Sequence, residues 1–220
     1  MHKLDEEESM HAKKVLRLKS GTVIQLTDGL GKIYEARLTN TEGRNCEFSI
    51  LKSEQVQPRN YKIHIAIAPT KNADRIEWFV EKAVELGIDK ISFLQCKNSE
   101  RKSINLERVE KKAVSAMKQS GQVYLPAIQE IRPFQQIITE SDEVGKFIGF
   151  VDAQNPLLLK SLAKPSTSYL VLIGPEGDFS PEEMQTALQT GFVKVSLGAN
   201  RLRTETAGIA ACHILNLING

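Results

Sequence analysis

The chain has 220 residues, of which 41% are hydrophobic and 25% charged, a mix that excludes a disordered polyelectrolyte and suffices for one large core or two smaller ones. Its 29 lysines and arginines stand against 27 aspartates and glutamates for a net charge of +2. A polyanionic partner therefore has to be argued from clustered cations and not from the total.

The start, Met1 to Ser9, is acidic through Asp5 to Glu8 and lacks the apolar stretch of a secretory signal. From Val15 to Leu51 come short β-like runs at Thr22 to Leu26, Lys32 to Thr39 and Asn45 to Leu51, punctuated by Asp28-Gly29, Gly31 and Glu42-Gly43. This reads as a small all-β unit over residues 1–58, with a linker from Lys52 to Asn60 that carries Pro58. From residue 62 to 220 the rhythm changes to alternating strand and helix. Lys62 to Ala68 is a strand. Ala73 to Leu86 has helical spacing of Ile76, Phe79, Val80, Ala83 and Val84, closed by Gly87. Ile88 to Gln95 is a strand and Leu106 to Gln119 a helix, followed by strands at Lys146 to Val151, Tyr169 to Ile173 and Val193 to Leu197. Ser180-Pro181-Glu182-Glu183 spells an N-cap, a proline at the first helical position and a capping box. The alternation predicts an α/β domain with a mostly parallel sheet and helices on both faces. The longest apolar stretch, Ala207 to Ile218, is broken by Cys212, His213 and Asn216 and is too short to span a bilayer, so no membrane role is expected.

Two segments carry the chemistry. Leu170-Val171-Leu172-Ile173 breaks into Gly174-Pro175-Glu176-Gly177-Asp178-Phe179 before the capped helix. Leu197-Gly198-Ala199-Asn200-Arg201-Leu202-Arg203 repeats the arrangement before Thr204-Glu205-Thr206-Ala207. Glycines at the ends of parallel strands let backbone N–H and C=O groups face a ligand, although each loop alone also serves as a plain strand-to-helix turn. The first loop is neither a Walker A loop nor a GxGxxG fingerprint. Thr204 has the chemistry of an N-cap, and Glu205 complements the helix dipole. Arg203 gains nothing from the positive end of that dipole, which points to a role on an anion or a polarised substrate.

Together, IGPEGDFSPEE and VSLGANRLRTETAGIAA resemble the 16S ribosomal RNA (uracil-N3) methyltransferase family of the SPOUT superfamily. His11 to Arg17 with Gly21, Glu85-Leu86-Gly87 and Gln119-Ser120-Gly121 extend the likeness over nearly the whole chain. The resemblance implies an amino-terminal PUA-like β-barrel that binds RNA, a SPOUT α/β domain with a deep carboxy-terminal trefoil knot, and a homodimer. It further implies S-adenosylmethionine held by Leu172, Ile173, Gly174, Pro175, Glu176, Gly177, Leu197, Gly198, Leu202, Arg203, Thr206 and Ala207. Three departures stand out. Asp178 occupies a place where glycine is usual, Lys118 one where glutamate is common, and the family has one more short strand ahead of the stretch matched by Leu4 to Ser9.

Methylating uracil N3 means removing its proton and stabilising the imide anion. Arg203 is the candidate cation and Glu205 the candidate for proton handling, since His2, His11, His64 and His213 lie outside both loops. For the RNA partner, in the small ribosomal subunit, the candidates are Arg17, then Lys97, Arg101 and Lys102, and then Arg108, Lys111, Lys112 and Gln119 on one helical face, a pattern that a solvated lysine-rich face also produces. Cys46, Cys96 and Cys212 are odd in number and scattered, which predicts a reduced cytoplasmic protein with neither disulfide nor metal site. The competing functions are a SPOUT ribose 2′-O-methyltransferase and a non-catalytic RNA-binding protein of ribosome assembly. Neither the target nucleotide nor the proton acceptor can be read from the residues.

Overall fold

The computed structural model describes residues 2–151 and 157–220. The chain divides into two compact units, Met1–Pro58 and Arg59–Gly220.

In the first unit, strands β1 (His2–Lys3), β2 (Val23–Thr27), β3 (Lys32–Asn40) and β4 (Glu47–Gln55) form an antiparallel sheet in the order β1-β4-β3-β2. Leu38, Cys46 and Ala12 are its buried core, with Leu4, Leu18, Ile24 and Phe48 packed against them. Helix α1 (Glu6–Met10) starts at Asp5, whose carboxylate accepts from the Glu8 N–H at 2.7 Å, and continues into a π-helical turn over His11–Val15. The sequence gives no sign of this helix because only Ser9 and Ala12 along it are buried. The expected linker also needs correction at its start. β4 runs on to Gln55 because Lys52 to Gln55 pair with Glu35 to Lys32 of β3. Those residues are exposed, so a hydrogen-bonded ladder and not an apolar face makes them a strand.

In the second unit, β5 (Lys62–Ile67), β6 (Lys90–Gln95), β7 (Ala127–Pro133), β8 (Gly145–Gly149), β9 (Ser168–Ile173) and β10 (Val193–Val195) form a sheet ordered β10-β8-β9-β5-β6-β7, parallel throughout. Side chains alternate between its faces. Ile63, Ile65, Ile67, Tyr169, Val171 and Ile173 share one core with α2 (Ala73–Glu85), α3 (Leu106–Ser120), α5 (Leu159–Leu162) and α7 (Thr204–Asn219). Ala66, Leu170 and Leu172 share another with α4 (Phe134–Glu140) and α6 (Pro181–Gln189). The central strands are continuous apolar runs, as expected of strands buried on both faces. β7 and α4 were not anticipated: β7 is an edge strand with no buried residue, and α4 is seven residues long. Among the described residues no helix is long and apolar enough to cross a membrane.

Candidate active site

The two glycine loops leave the carboxy ends of β9 and β10, and the strand order puts β8 between β10 and β9. After Ile173 the chain turns through Gly174 to Phe179 into α6. There Ser180 Oγ accepts from the Glu183 N–H at 3.2 Å and Glu183 Oε2 accepts from the Ser180 N–H at 2.8 Å, the capping box that the spacing predicts. Asp178 has φ +62°, a conformation glycine adopts freely, and its own Oδ1 accepts from the Phe179 N–H at 2.9 Å. That is the physical content of the departure at this position: an aspartate does there what a glycine would.

Neighbouring loops brace this turn. Glu176 Oε1 accepts from the Lys71 N–H at 3.1 Å, and Asn98 Nδ2 donates to the carbonyls of Gly177 and Asp178, each at 3.1 Å. The second loop ends at Arg203, which itself occupies the N-cap position of α7 without a side-chain cap. Thr204, expected to cap, is the first helical residue, and its hydroxyl instead donates to the Gly174 carbonyl at 3.0 Å. One hydrogen bond thus ties the two loops together.

Between them lies a cavity of about 340 Å³. Nine of the residues expected around a cofactor line it: Ile173, Gly174, Pro175, Glu176, Leu197, Gly198, Leu202, Arg203 and Ala207. Three do not. Leu172 points into the α4/α6 core, Gly177 packs on Asn98, and Thr206 stands outside the lining. Sequence reasoning missed Gly149 and Phe150, at and just past the end of β8, and Arg75 in the first turn of α2. The rule that ligands sit at carboxy ends of parallel strands would have found the β8 pair. Nothing in the sequence brings Arg75 there.

The walls suit an aromatic, hydrogen-bonding ligand: Ile173, Pro175, Leu197, Leu202 and Ala207 are apolar, while the backbone of both loops offers donors and acceptors. A Cβ built on Gly198 meets no atom within 4 Å, so a side chain there would stand in the open space of the cleft. Its positive charge comes from three guanidiniums, Arg75, Arg201 and Arg203, set against the carboxylates of Glu176 and Asp178. Arg201 and Arg203 are exposed, and neither has an ion pair or side-chain hydrogen bond to another described residue. Glu205 does not reach the cleft, because it is 6% exposed and faces Arg75, with Oε1 at 3.8 Å from Arg75 Nε. In this arrangement the carboxylate faces Arg75 and not the open cleft, where proton handling would need it.

The expected RNA contacts are scattered. Arg101 spends its guanidinium on the carbonyls of Thr70 and Lys71, at 3.0 and 2.6 Å. Lys97 pairs with Glu182, Arg108 with Glu77 and Asp74, Lys111 with Glu107, and Lys112 with Glu81. Arg17, Lys102 and Gln119 are exposed. Away from the cleft, His64 is buried between Glu143 and Ser92 at 2.6 and 2.7 Å, and burial holds its imidazole below the usual value against the pull of the Glu143 carboxylate. Burial pushes the Cys212 thiol up to about 12 and raises that of Cys96, so neither is a nucleophile at neutral pH. Among the described residues no group of three His, Cys, Asp or Glu could hold a metal.

A parallel α/β sheet whose carboxy ends open into a glycine-lined cleft is the ligand-binding arrangement of α/β proteins. Residues 57–216 match the family model described as an RNA methyltransferase domain, and residues 4–51 that described as an RNA methyltransferase PUA domain. The chain belongs to the ribosomal RNA small subunit methyltransferase E family of RNA methyltransferases. The ribosomal RNA small subunit methyltransferase E of Mesomycoplasma hyopneumoniae is 30% identical over 202 residues, spanning 89% of this chain and 86% of that one. A structure from Porphyromonas gingivalis, described as a "probable rRNA-methyltransferase", is 40% identical with a TM-score of 0.93, covering 99% of this chain and 93% of the other. The ribosomal RNA small subunit methyltransferase E of Neisseria gonorrhoeae, solved bound to S-adenosyl methionine, is 28% identical with a TM-score of 0.89, covering 99% and 92%.

Proposed function

We propose that this protein methylates N3 of a uracil in 16S ribosomal RNA of the small subunit, using S-adenosylmethionine held between the loops after β9 and β10. The observation that carries the reading is the pair of glycine loops tied by Thr204 and Gly174 around an apolar cleft, in a chain alike from end to end to a relative solved with that cofactor. When bound, the cofactor supplies an electrophilic methyl group on a sulfonium. The remaining work falls to the chain.

Ile173, Pro175, Leu197, Leu202 and Ala207 shield an adenosine from water, and the loop backbone reads its edge. Uracil N3 must shed its proton as it attacks, leaving negative charge on the imide, and Arg203 is the cation we assign to that charge because no carboxylate among the described residues occupies it. We assign the proton to solvent: among the described residues the carboxylates that line the cleft are Glu176 and Asp178, and Glu176 Oε1 already accepts from the Lys71 N–H and Asp178 Oδ1 from the Phe179 N–H. The amino-terminal unit serves as the RNA-binding module. The strand order supports the trefoil knot, because the chain must cross back over β8 and β9 after β10 to bring α7 against β5. We further propose a homodimer packed through α7, where Leu217 is 66% exposed, and a cytoplasmic site of action, in keeping with a ribosomal substrate.

Two measurements test this. Nucleoside mass spectrometry of ribosomal RNA from cells lacking the protein should show loss of a 3-methyluridine. Loss of a ribose methylation instead, or no change, overturns the assignment. Light scattering should give a dimer at micromolar concentration, and a monomer overturns the packing of α7.

A further inference from the structure

Gly208 lies one turn beyond Glu205 on α7, and a Cβ on it would stand 2.6 Å from Phe79 Cε2 of α2. Only glycine lets the two helices approach this closely. One turn earlier on both helices, the same approach sets Glu205 against Arg75. Glu205 Oε1 faces Arg75 Nε at 3.8 Å, while its Oε2 is buried and has no hydrogen-bond partner among the described residues. A carboxylate removed from water this far needs a cation held against it, and Arg75 is the one the packing supplies. An arginine engaged from its Nε side keeps its terminal Nη donors for a second anion.

Arg75 lines the cleft together with Arg201 and Arg203. Glu176 and Asp178 also line it, with Glu176 Oε1 taken by the Lys71 N–H and Asp178 Oδ1 by the Phe179 N–H, so three guanidiniums against two carboxylates leave one positive charge over. S-adenosylmethionine brings one carboxylate against an ammonium and a sulfonium. The surplus is suited to a polyanion that crosses the mouth of the cleft. Phosphate oxygens match the planar fork of a fixed guanidinium, and such contacts set the register of a strand.

Resting on the methyl-transfer reading above, we propose that Arg75 grips a backbone phosphate of the target RNA beside the methylated nucleotide. Glu205 is the positioning residue that fixes its guanidinium. Small ribosomal subunits from cells lacking the protein provide the probe, titrated across a range of salt, with a cofactor titration and a melting curve for each variant. Arg75→Ala weakens subunit binding by about 10-fold and lowers the slope of log affinity against log salt by about one, with cofactor affinity unchanged. Arg75→Lys restores the slope but not the full affinity, because a point charge lacks the fork. Glu205→Gln weakens subunit binding by a few fold, and adding it to Arg75→Ala costs nothing more, as two residues acting through one contact require.

Wild-type affinity and slope in Arg75→Ala overturn the proposal. So does loss of cofactor binding in its place, which would put Arg75 on the cofactor's carboxylate. Additive losses in the double variant overturn the positioning role of Glu205. If Arg75→Ala melts early, Arg75→Gln, which removes the charge and keeps most of the side chain, gives the lowered affinity and slope in a folded protein. A wild-type protein that binds subunits but neither binds the cofactor nor transfers a methyl group sinks the methyl-transfer reading and leaves the effect of Arg75 on RNA measurable.

Discussion

Two cationic regions of the second unit look alike in sequence and differ in the fold. Helix α3 carries Arg108, Lys111 and Lys112 on one face, yet Glu77, Glu107 and Glu81 lie at 2.7, 2.7 and 3.2 Å from them. The cleft carries Arg201 and Arg203 with no carboxylate partner among the described residues, and Arg75 held from behind by a buried one. Cations counted along one helix say nothing about the acids a neighbouring helix brings to them. A cation left unpaired in a concave site is a better sign of a ligand than several on an exposed face, because exposed pairs are worth little and exchange readily.

The largest effect should come from the cleft. Arg203→Ala is expected to lower kcat by about 10²-fold or more with little change in cofactor affinity, as when other stabilisers of developing charge are removed. Single-turnover methylation of small subunits beside a cofactor titration measures both. Lysine should rescue in part. If thermal stability and cofactor affinity fall together while the chemistry survives, Arg203 only braces the loop.

The glycines that shape the same cleft come next. Gly198 has φ +151° and open space where a Cβ would go, so Gly198→Val strains the loop and pushes a branched side chain into the ligand's volume. Gly174 is different, because its Cβ would press on the Phe179 ring at 3.1 Å and shift the loop itself. Both should cost about 10-fold or more in cofactor affinity by calorimetry, on the order of 1.4 kcal/mol. Both should also lower the melting temperature, Gly198→Val through backbone strain at positive φ and Gly174→Val through the Phe179 contact. A Gly174→Val melting curve at the wild-type position would show that the Phe179 contact yields without cost.

What the sequence reveals and hides follows the same division. Continuous apolar strands, the Ser180 capping box and the two glycine loops are local patterns, and each appears where its residues foretell it. Features that depend on a partner far along the chain are not legible. The Thr204 hydroxyl goes to a carbonyl 30 residues away, and Arg75 meets Glu205 only because Gly208 lets α7 settle on α2. β7 has no buried residue and the end of β4 is exposed, so hydrophobic periodicity passes over both.

The smallest effects should be on α3, and they test whether its cations are engaged as the ion pairs indicate. Lys112→Ala should change small-subunit affinity by less than about threefold, because the phosphate contact it could make competes with the pair to Glu81. The reverse substitution is more informative. Glu81 also pairs with Lys82 at 2.9 Å, and these two lysines hold its carboxyl below the usual range, chiefly the Lys82 hydrogen bond. Glu81→Gln removes the acid and frees the Lys112 ammonium, while Lys82 keeps its pair with Glu85 at 2.8 Å. If α3 faces the RNA, that variant binds subunits about two- to threefold more tightly at low salt, with a steeper salt dependence, and loses the gain as salt screens the new charge. If α3 is only a solvated face, subunit binding stays at the wild-type value at every salt concentration. A loss in Lys112→Ala as large as that expected for Arg75→Ala would reverse the comparison, placing the main RNA contact on the helix and not at the mouth of the cleft.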